Sequence, residues 1–575
     1  MLLFWLAAAA LLVWARWQQI QWFALADTDD NLRIAQVRAW LAGQGWFDLR
    51  QYKLAPPGGA DVHWSRLVDL PIAGIKLLLT PLLGGADAER AAVRAAPLLP
   101  LGVAFFAIAA IARRMIGAAA WPLAIALLLC AHSARGMWVP LRIDHHGWQL
   151  ALLGLVLVGL TDARRARGGA VIGFATALSL VIGLEMLIYL ALAGAVTILR
   201  WVHDRAEAPR AATYGASLAG GCAAGFLLFA SYANRAPVCD ALSPVWLSAM
   251  IAAGGAAVLL ARLSPERWTA RFGLAAAAGA IIAVGFVLLW PHCLGRPEGV
   301  TPELDDRWLS HVREARPVYT HSLQVGLGIV SLPVAGLIGY ALMLWRSRRD
   351  AHAAIRWGVL ALPALVAATL LLWQTRAGPA AQLLSIPGAA ALAWAAFAKV
   401  RGWRPWPVQS AAIVAAFLVI SGLAAQWSAD WLRTPVSAGM KKVNRANSFC
   451  PTLAALRAVA MQPKGTVLTF VDLGPRLIAV TPHSAIAGPY HRNGDAILDV
   501  MHAFRGSADT ARAIVEKRGV DYVLICPGMS ESTVYRSEAK QGFYVMLAAG
   551  QVPDWLDPVD LPKGSPYRMW RVIRR

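Results

Sequence analysis

Carboxylates are scarce in this chain, with 33 Asp and Glu against 54 Lys and Arg, so the places where they bunch invite a chemical reading. Asp27, Asp29 and Asp30 stand together just past an apolar N-terminal run. Like charges at a membrane interface repel unless a cation neutralises them, and two or three carboxylates make a hard-oxygen site for Mg2+ or Mn2+. The other use for these residues is to cap a helix expected over 31–41. A second cluster is Arg142-Ile143-Asp144-His145-His146. Asp144 and His146, two apart, can complete a metal shell with the first cluster or supply ordinary loop polarity. A third stretch, 291–324, holds Glu303, Asp305, Asp306 and the run from His311 to Pro317 that includes Glu314; a loop of that length is a functional lid or mobile filler. Arg376, at the end of an apolar run, either snorkels to headgroups or grips a phosphate with its planar donor fork.

The elements that must position these residues are membrane spans. The 575 residues are 58% hydrophobic and only 15% charged, with mean hydropathy +0.51, whereas a soluble chain carries roughly 25% charged residues. Apolar runs long enough to cross a bilayer recur to about residue 427. The net charge of +21 does not point to nucleic acid, because the arginines sit in short clusters between apolar runs, as the positive-inside rule requires. Six such clusters, beginning at Arg113-Arg114 and ending at Lys399/Arg401/Arg404, are each separated by two apolar segments and so share the cytoplasmic side. The pattern predicts about thirteen transmembrane helices in a multi-pass protein of the bacterial inner membrane. Its N-terminus is cytoplasmic, its first span is retained, and its C-terminal domain is periplasmic. The stretch 70–85, short and containing Pro71 and Pro81, reads as an interfacial segment. Outer loops fall at 23–89, 138–147 and 291–324, and every polar cluster named above lies on that outer face.

Beyond residue 427 the apolar runs shorten and charges become frequent, which sets a membrane domain over 1–427 and a soluble domain over 428–575. Residues 466–472 and 521–526 read as strands and 507–518 as a helix, so the second domain is expected to be small and α/β. The turn Gly488-Pro489-Tyr490-His491-Arg492-Asn493 either faces the membrane site or is a surface loop. Cys450 and Cys526, both expected on the oxidising side, are a candidate disulfide.

Together these motifs resemble a family. The acidic pair after the first span is followed by Asn-Leu-Arg-Ile-Ala-Gln-Val-Arg, then by His63-Trp64, then by Asp-His-His before the fourth span. This is similar to the catalytic subunit of archaeal and bacterial oligosaccharyltransferases, within the GT-C glycosyltransferases. Val312-Arg313-Glu314-Ala315-Arg316-Pro317 resembles that family's outer-loop motif, in which Val-x-Glu-x-x-Pro supplies a mobile glutamate. The resemblance implies that Asp29, Asp144 and His146 hold a divalent cation, Mg2+ or Mn2+, and that Asp29, Asp144 and Glu314 are catalytic. It also implies that Arg376 meets the donor's phosphate. The donor would be a sugar or oligosaccharide on a polyprenyl phosphate or pyrophosphate, transferred with inversion.

One departure bears on the acceptor. Where the family carries Trp-Trp-Asp-Tyr-Gly to read the Ser or Thr of a sequon, this chain has Phe470-Val471-Asp472-Leu473-Gly474. Asp472, Tyr490, His491 and Arg492 are the expected acceptor region, and the acceptor itself is a lipid, a polysaccharide or a protein. The partners expected are the polyprenyl-linked donor and membrane lipids, not nucleic acid. The competing readings are a single-sugar transferase acting on a lipid or polysaccharide, and a transporter or flippase of lipid-linked glycans. Acidic residues at the outer ends of spans, with no internal repeat, weigh against transport.

Overall fold

The computed structural model describes every residue of the chain except Ala26, Trp403, Arg433, Thr434 and Arg575. Among these residues eight helices are long and apolar enough to cross a membrane, from Gly85–Met115 to Thr375–Val400. The pair Trp406–Ile420 and Leu423–Trp431, bent by 77°, makes a ninth if it is one span. Four shorter apolar helices, Leu2–Ala15, Trp121–Cys130, His146–Leu160 and Leu187–His203, fall where the remaining spans are expected, so a count of thirteen requires all four to cross. The 70–85 stretch is the helix Asp69–Leu83, with Leu77, Leu78 and Leu82 exposed; it packs on Gly85–Ala95.

The helices pack through small residues. Arg165–Ile182 lies against Ala208–Phe229 so closely that a Cβ on Gly169 would strike the Arg210 carbonyl. Gly339 of Leu323–Arg346 meets the backbone of Gly388 in the same way. Backbones that approach this closely gain van der Waals contact where lipid supplies no hydrophobic drive.

The C-terminal region is α/β. Five strands, β1 Thr466–Leu468, β2 Ser484–Ala485, β3 Tyr522–Ile525, β4 Leu556–Pro558 and β5 Arg568–Val572, form one sheet in the order β2-β1-β3-β5-β4. The first three are parallel, and β5 pairs antiparallel with β3 and β4. The helix Ala508–Lys517 precedes β3, as expected. β1 stops earlier than expected, because Glu531 accepts the backbone N–H groups of Val471 and Asp472, both at 2.9 Å, and bends 471–473 into a 3-10 turn. Cys450 and Cys526 are bonded, and so are Cys239 and Cys293, a pairing the sequence reading did not make.

The first outer loop belongs to the core of this region. Leu49, Leu54, Val62 and Trp64 are buried with Val467, Ile486 and Tyr490. Residues 53–55 run along β2: Ala485 N–H donates to the Lys53 carbonyl at 2.8 Å, and Ala55 N–H donates to the Ala485 carbonyl at 2.9 Å. The sheet edge is thereby covered.

Candidate active site

The acidic cluster after the first helices caps a helix and brings Asp29 to the second loop. Asp27 caps the helix Thr28–Leu41, its Oδ1 accepting the Asp29 N–H at 3.0 Å. The helix therefore starts three residues earlier than expected. Asp30 turns inward, and its Oδ1 accepts the N–H groups of Ile143 (2.8 Å) and Asp144 (3.0 Å), which welds the first loop to the second. Asp144 in turn accepts the His146 N–H at 3.0 Å at the start of the helix His146–Leu160. The result is that Asp29, Asp144 and His146 present ligand atoms all within 4.8 Å of one another.

Charge in this group is unbalanced. Arg142 pairs with Asp27, lies 2.6 Å from Asp144 Oδ2 and reaches Asp30 at 3.7 Å. Among the described residues Asp29 forms no ion pair with Arg142: burial, with Asp27 and Asp144 nearby, pushes its carboxyl up to about 7 against the pull of His146 and Arg142. Asp144 Oδ2 is buried against the Arg142 guanidinium, which with His146 holds the Asp144 carboxyl below its ordinary value despite burial. Two carboxylates, one of them proton-hungry, converging with an imidazole on one point fit a divalent cation. Two oxygens and one nitrogen suit Mn2+ better than Mg2+, which prefers oxygen throughout.

Beside this group lies a second polar cluster that the sequence reading largely missed. Glu185 Oε1 is 2.8 Å from His145 Nε2 and 3.3 Å from His63 Nε2, and its Oε2 accepts Gln149 Nε2 at 2.5 Å. Burial pushes the His145 imidazole down to about 4, so it lends Glu185 a hydrogen bond rather than a charge. The legible signal was that Glu185 is the one acidic residue between Asp162 and Asp204, isolated at the turn of an apolar hairpin. Asp240 carried no such signal beyond its neighbour Cys239. It accepts His491 Nε2 at 2.6 Å and both arms of the Arg492 fork, Nε at 2.7 Å and Nη2 at 2.6 Å.

The remaining expected residues are distributed as follows. Glu314 is not in the Asp29 group; its Oε1 accepts Arg376 Nη2 at 2.8 Å, both side chains being exposed. Arg376 also interacts electrostatically with Glu185. Tyr490 O–H donates to the Thr28 carbonyl at 3.0 Å. With Tyr490 spent on the Thr28 backbone and His491 and Arg492 committed to Asp240, these three fasten the C-terminal region over the loops. Asp472 is outward and exposed. Phe470 and Val471 point into the core.

The described residues thus form a multi-helix, largely apolar bundle whose end loops and C-terminal α/β region gather around Asp29, Asp144 and His146. No family model matches the chain, and a search of curated proteins returns no match. Solved structures do match. The archaeal oligosaccharyltransferase AglB from Archaeoglobus fulgidus, in complex with an inhibitory peptide and a dolichol-phosphate, aligns with a TM-score of 0.67 at 14% identity over 93% of this chain and 69% of that one. The Archaeoglobus fulgidus oligosaccharyltransferase tethered with an acceptor peptide containing the NVT sequon gives 0.64 at 14% identity over 96% and 70%. Its complex with Zn and sulfate gives 0.55 at 14% over 88% and 63%. What is shared at this identity is the fold.

Proposed function

We propose that the chain is a membrane glycosyltransferase that moves a sugar or oligosaccharide from a polyprenyl phosphate or pyrophosphate to an acceptor at the periplasmic face of the bacterial inner membrane. The observation that carries this is the convergence of Asp29, Asp144 and His146 within 4.8 Å in a chain with the fold of a protein solved with dolichol-phosphate. Residues 1–427 serve as the membrane domain and 428–575 as the soluble one.

Asp29, Asp144 and His146 would hold Mn2+ or Mg2+, which supplies Lewis-acid neutralisation of phosphate charge. Arg376 grips the leaving phosphate with its fork, and its guanidinium stabilises the negative charge that builds there. Glu314 occupies Arg376 until the phosphate takes its place; released, it turns to the acceptor. A carboxylate from Asp29 or Glu314 orients or deprotonates the acceptor's attacking group, which approaches opposite the phosphate and inverts the anomeric centre.

The acceptor is better read as a lipid, a polysaccharide or another protein than as an Asn-x-Ser/Thr peptide. Sequon reading needs a side chain at the turn that can reach and hydrogen-bond the acceptor hydroxyl, and Phe470 and Val471, 0% and 1% exposed, have no donor to offer. The test is genetic. A strain lacking the chain should accumulate a polyprenyl-linked saccharide, detected by mass spectrometry of lipid extracts. The intact gene should clear it, and Asp29→Asn should not. Lipid extracts identical to the parent strain would refute the reading. A reporter active only in the periplasm, fused at the C-terminus, checks the sidedness.

A further inference from the structure

We infer that Glu185 is a positioning residue for the metal centre: acting through Gln149, it fixes the tautomer and ring orientation of His146, and Arg33 fixes Glu185 through His145. This rests on the metal reading above and deepens it.

The hydrogen bonds converge on Glu185 from both ends of the relay. The Arg33 side chain is wholly buried; Nη1 donates to Asp69 Oδ1 at 2.9 Å and to the Ser65 carbonyl at 3.2 Å, and the guanidinium carbon lies 4.7 Å from the Trp64 ring centre. A guanidinium has no acceptor. Its Nη2, 3.3 Å from His145 Nδ1, therefore donates, and Nδ1 carries the lone pair. The His145 proton sits on Nε2 and is donated to Glu185 Oε1 at 2.8 Å. Glu185 Oε2 takes the amide nitrogen of Gln149 at 2.5 Å, which turns the amide oxygen toward His146. That oxygen lies 3.4 Å from His146 Nδ1, so Nδ1 bears the proton and Nε2 is the ring nitrogen left for a cation beside Asp29 and Asp144.

The same logic disposes of a second metal at His63, His145 and Glu185, whose ligand atoms also lie within 4.8 Å. Binding there would require the His145 proton to move to Nδ1, against the Arg33 N–H. The cluster is scaffolding for the Asp29 group, and its groups outside the ligand shell matter because partners of a ligating histidine typically set ten- to a hundredfold in metal affinity.

The experiment is a double-mutant cycle on Mn2+ affinity, measured by electron paramagnetic resonance titration of the full chain in detergent. Glu185→Gln should weaken Mn2+ binding ten- to a hundredfold. Gln149→Met, which leaves every carboxylate in place, should do the same and carries the test if Glu185→Gln fails to fold, as judged by thermal unfolding in EDTA. In a His146→Asp background, which puts a carboxylate oxygen in place of the ring nitrogen, Glu185→Gln should cost less than about twofold, because coupled sites are not additive. Fully additive losses would mean that Glu185 acts structurally and would overturn the inference. Affinity unchanged in both single variants would overturn the relay alone. No Mn2+ binding by the unmodified chain would overturn the metal centre and the relay with it.

Discussion

Arg376 and Glu314 offer a perturbation whose effects on folding and on donor binding separate cleanly. Their contact is a single 2.8 Å ion pair between side chains 40% and 60% exposed, and pairs of that exposure contribute about 0–1 kcal/mol. Arg376→Lys should therefore change the unfolding midpoint of the purified protein little. If Arg376 grips a phosphate, the substitution removes one of two charge-assisted hydrogen bonds, each worth about 1.5–3 kcal/mol. The affinity for polyprenyl phosphate, measured by titration in lipid nanodiscs, should then fall roughly 10- to 150-fold. Glu314→Gln should act in the opposite sense on binding: freeing Arg376 from its competitor tightens the phosphate by up to about fivefold. Clearance of the lipid-linked donor in cells should nevertheless drop, because Glu314 no longer serves the acceptor. Equal affinities for the unmodified protein and Arg376→Lys would refute the phosphate role and leave Arg376 as a headgroup anchor.

Other outcomes are equally specific. The Asp29 carboxyl is raised from 3.8 to about 7, so the metal-free fold holds its proton more tightly than the unfolded chain and loses stability as pH rises from about 4 to 7. Asp29→Asn should remove that loss, raising the unfolding midpoint at pH 7.5 in EDTA and flattening its pH profile, while abolishing donor clearance; a lowered midpoint would contradict the electrostatics. Cys293→Ser opens the bond to Cys239 across a separation of 54 residues, which should cost about 4 kcal/mol on the loop-entropy scale and be visible as a lower midpoint under non-reducing conditions. A fluorescent Asn-x-Thr peptide offered with a lipid-linked donor should remain unmodified; glycosylation that disappears when Thr is replaced by Ala would show that Asp472 alone can read a sequon.

The spans were legible because hydropathy and arginine spacing are local properties, and Asp29, Asp144 and His146 stood out because acids are few and each lies at the end of an apolar run. Their partners were harder to see. Arg33 and Gln149 look like ordinary polar residues on helices, and only the fold shows that they touch His145 and His146. Asp240 is one acid in a short loop, meaningful only once His491 and Arg492, roughly 250 residues later, reach it. The early end of β1 followed from Glu531, about sixty residues away. The membership of Leu49, Leu54 and Trp64 in the C-terminal core is likewise a tertiary fact: a loop leucine has no periodicity to betray its destination.

The fastening of Tyr490, His491 and Arg492 onto Thr28 and Asp240 also sets a timetable for the newborn chain. Synthesis proceeds from the N-terminus at about 5–20 residues per second, so roughly 350 residues and some 20–70 s separate the emergence of Asp144 from that of His491. Through that interval the acidic loops have been made but nothing covers them, and Leu49, Leu54 and Trp64 have no core to enter. The loops around Asp29 and Asp144 therefore wait on the last-made part of the chain, and a ribosome that stalls short of the last hundred residues leaves behind a bundle whose acidic loops lack the Tyr490, His491 and Arg492 contacts.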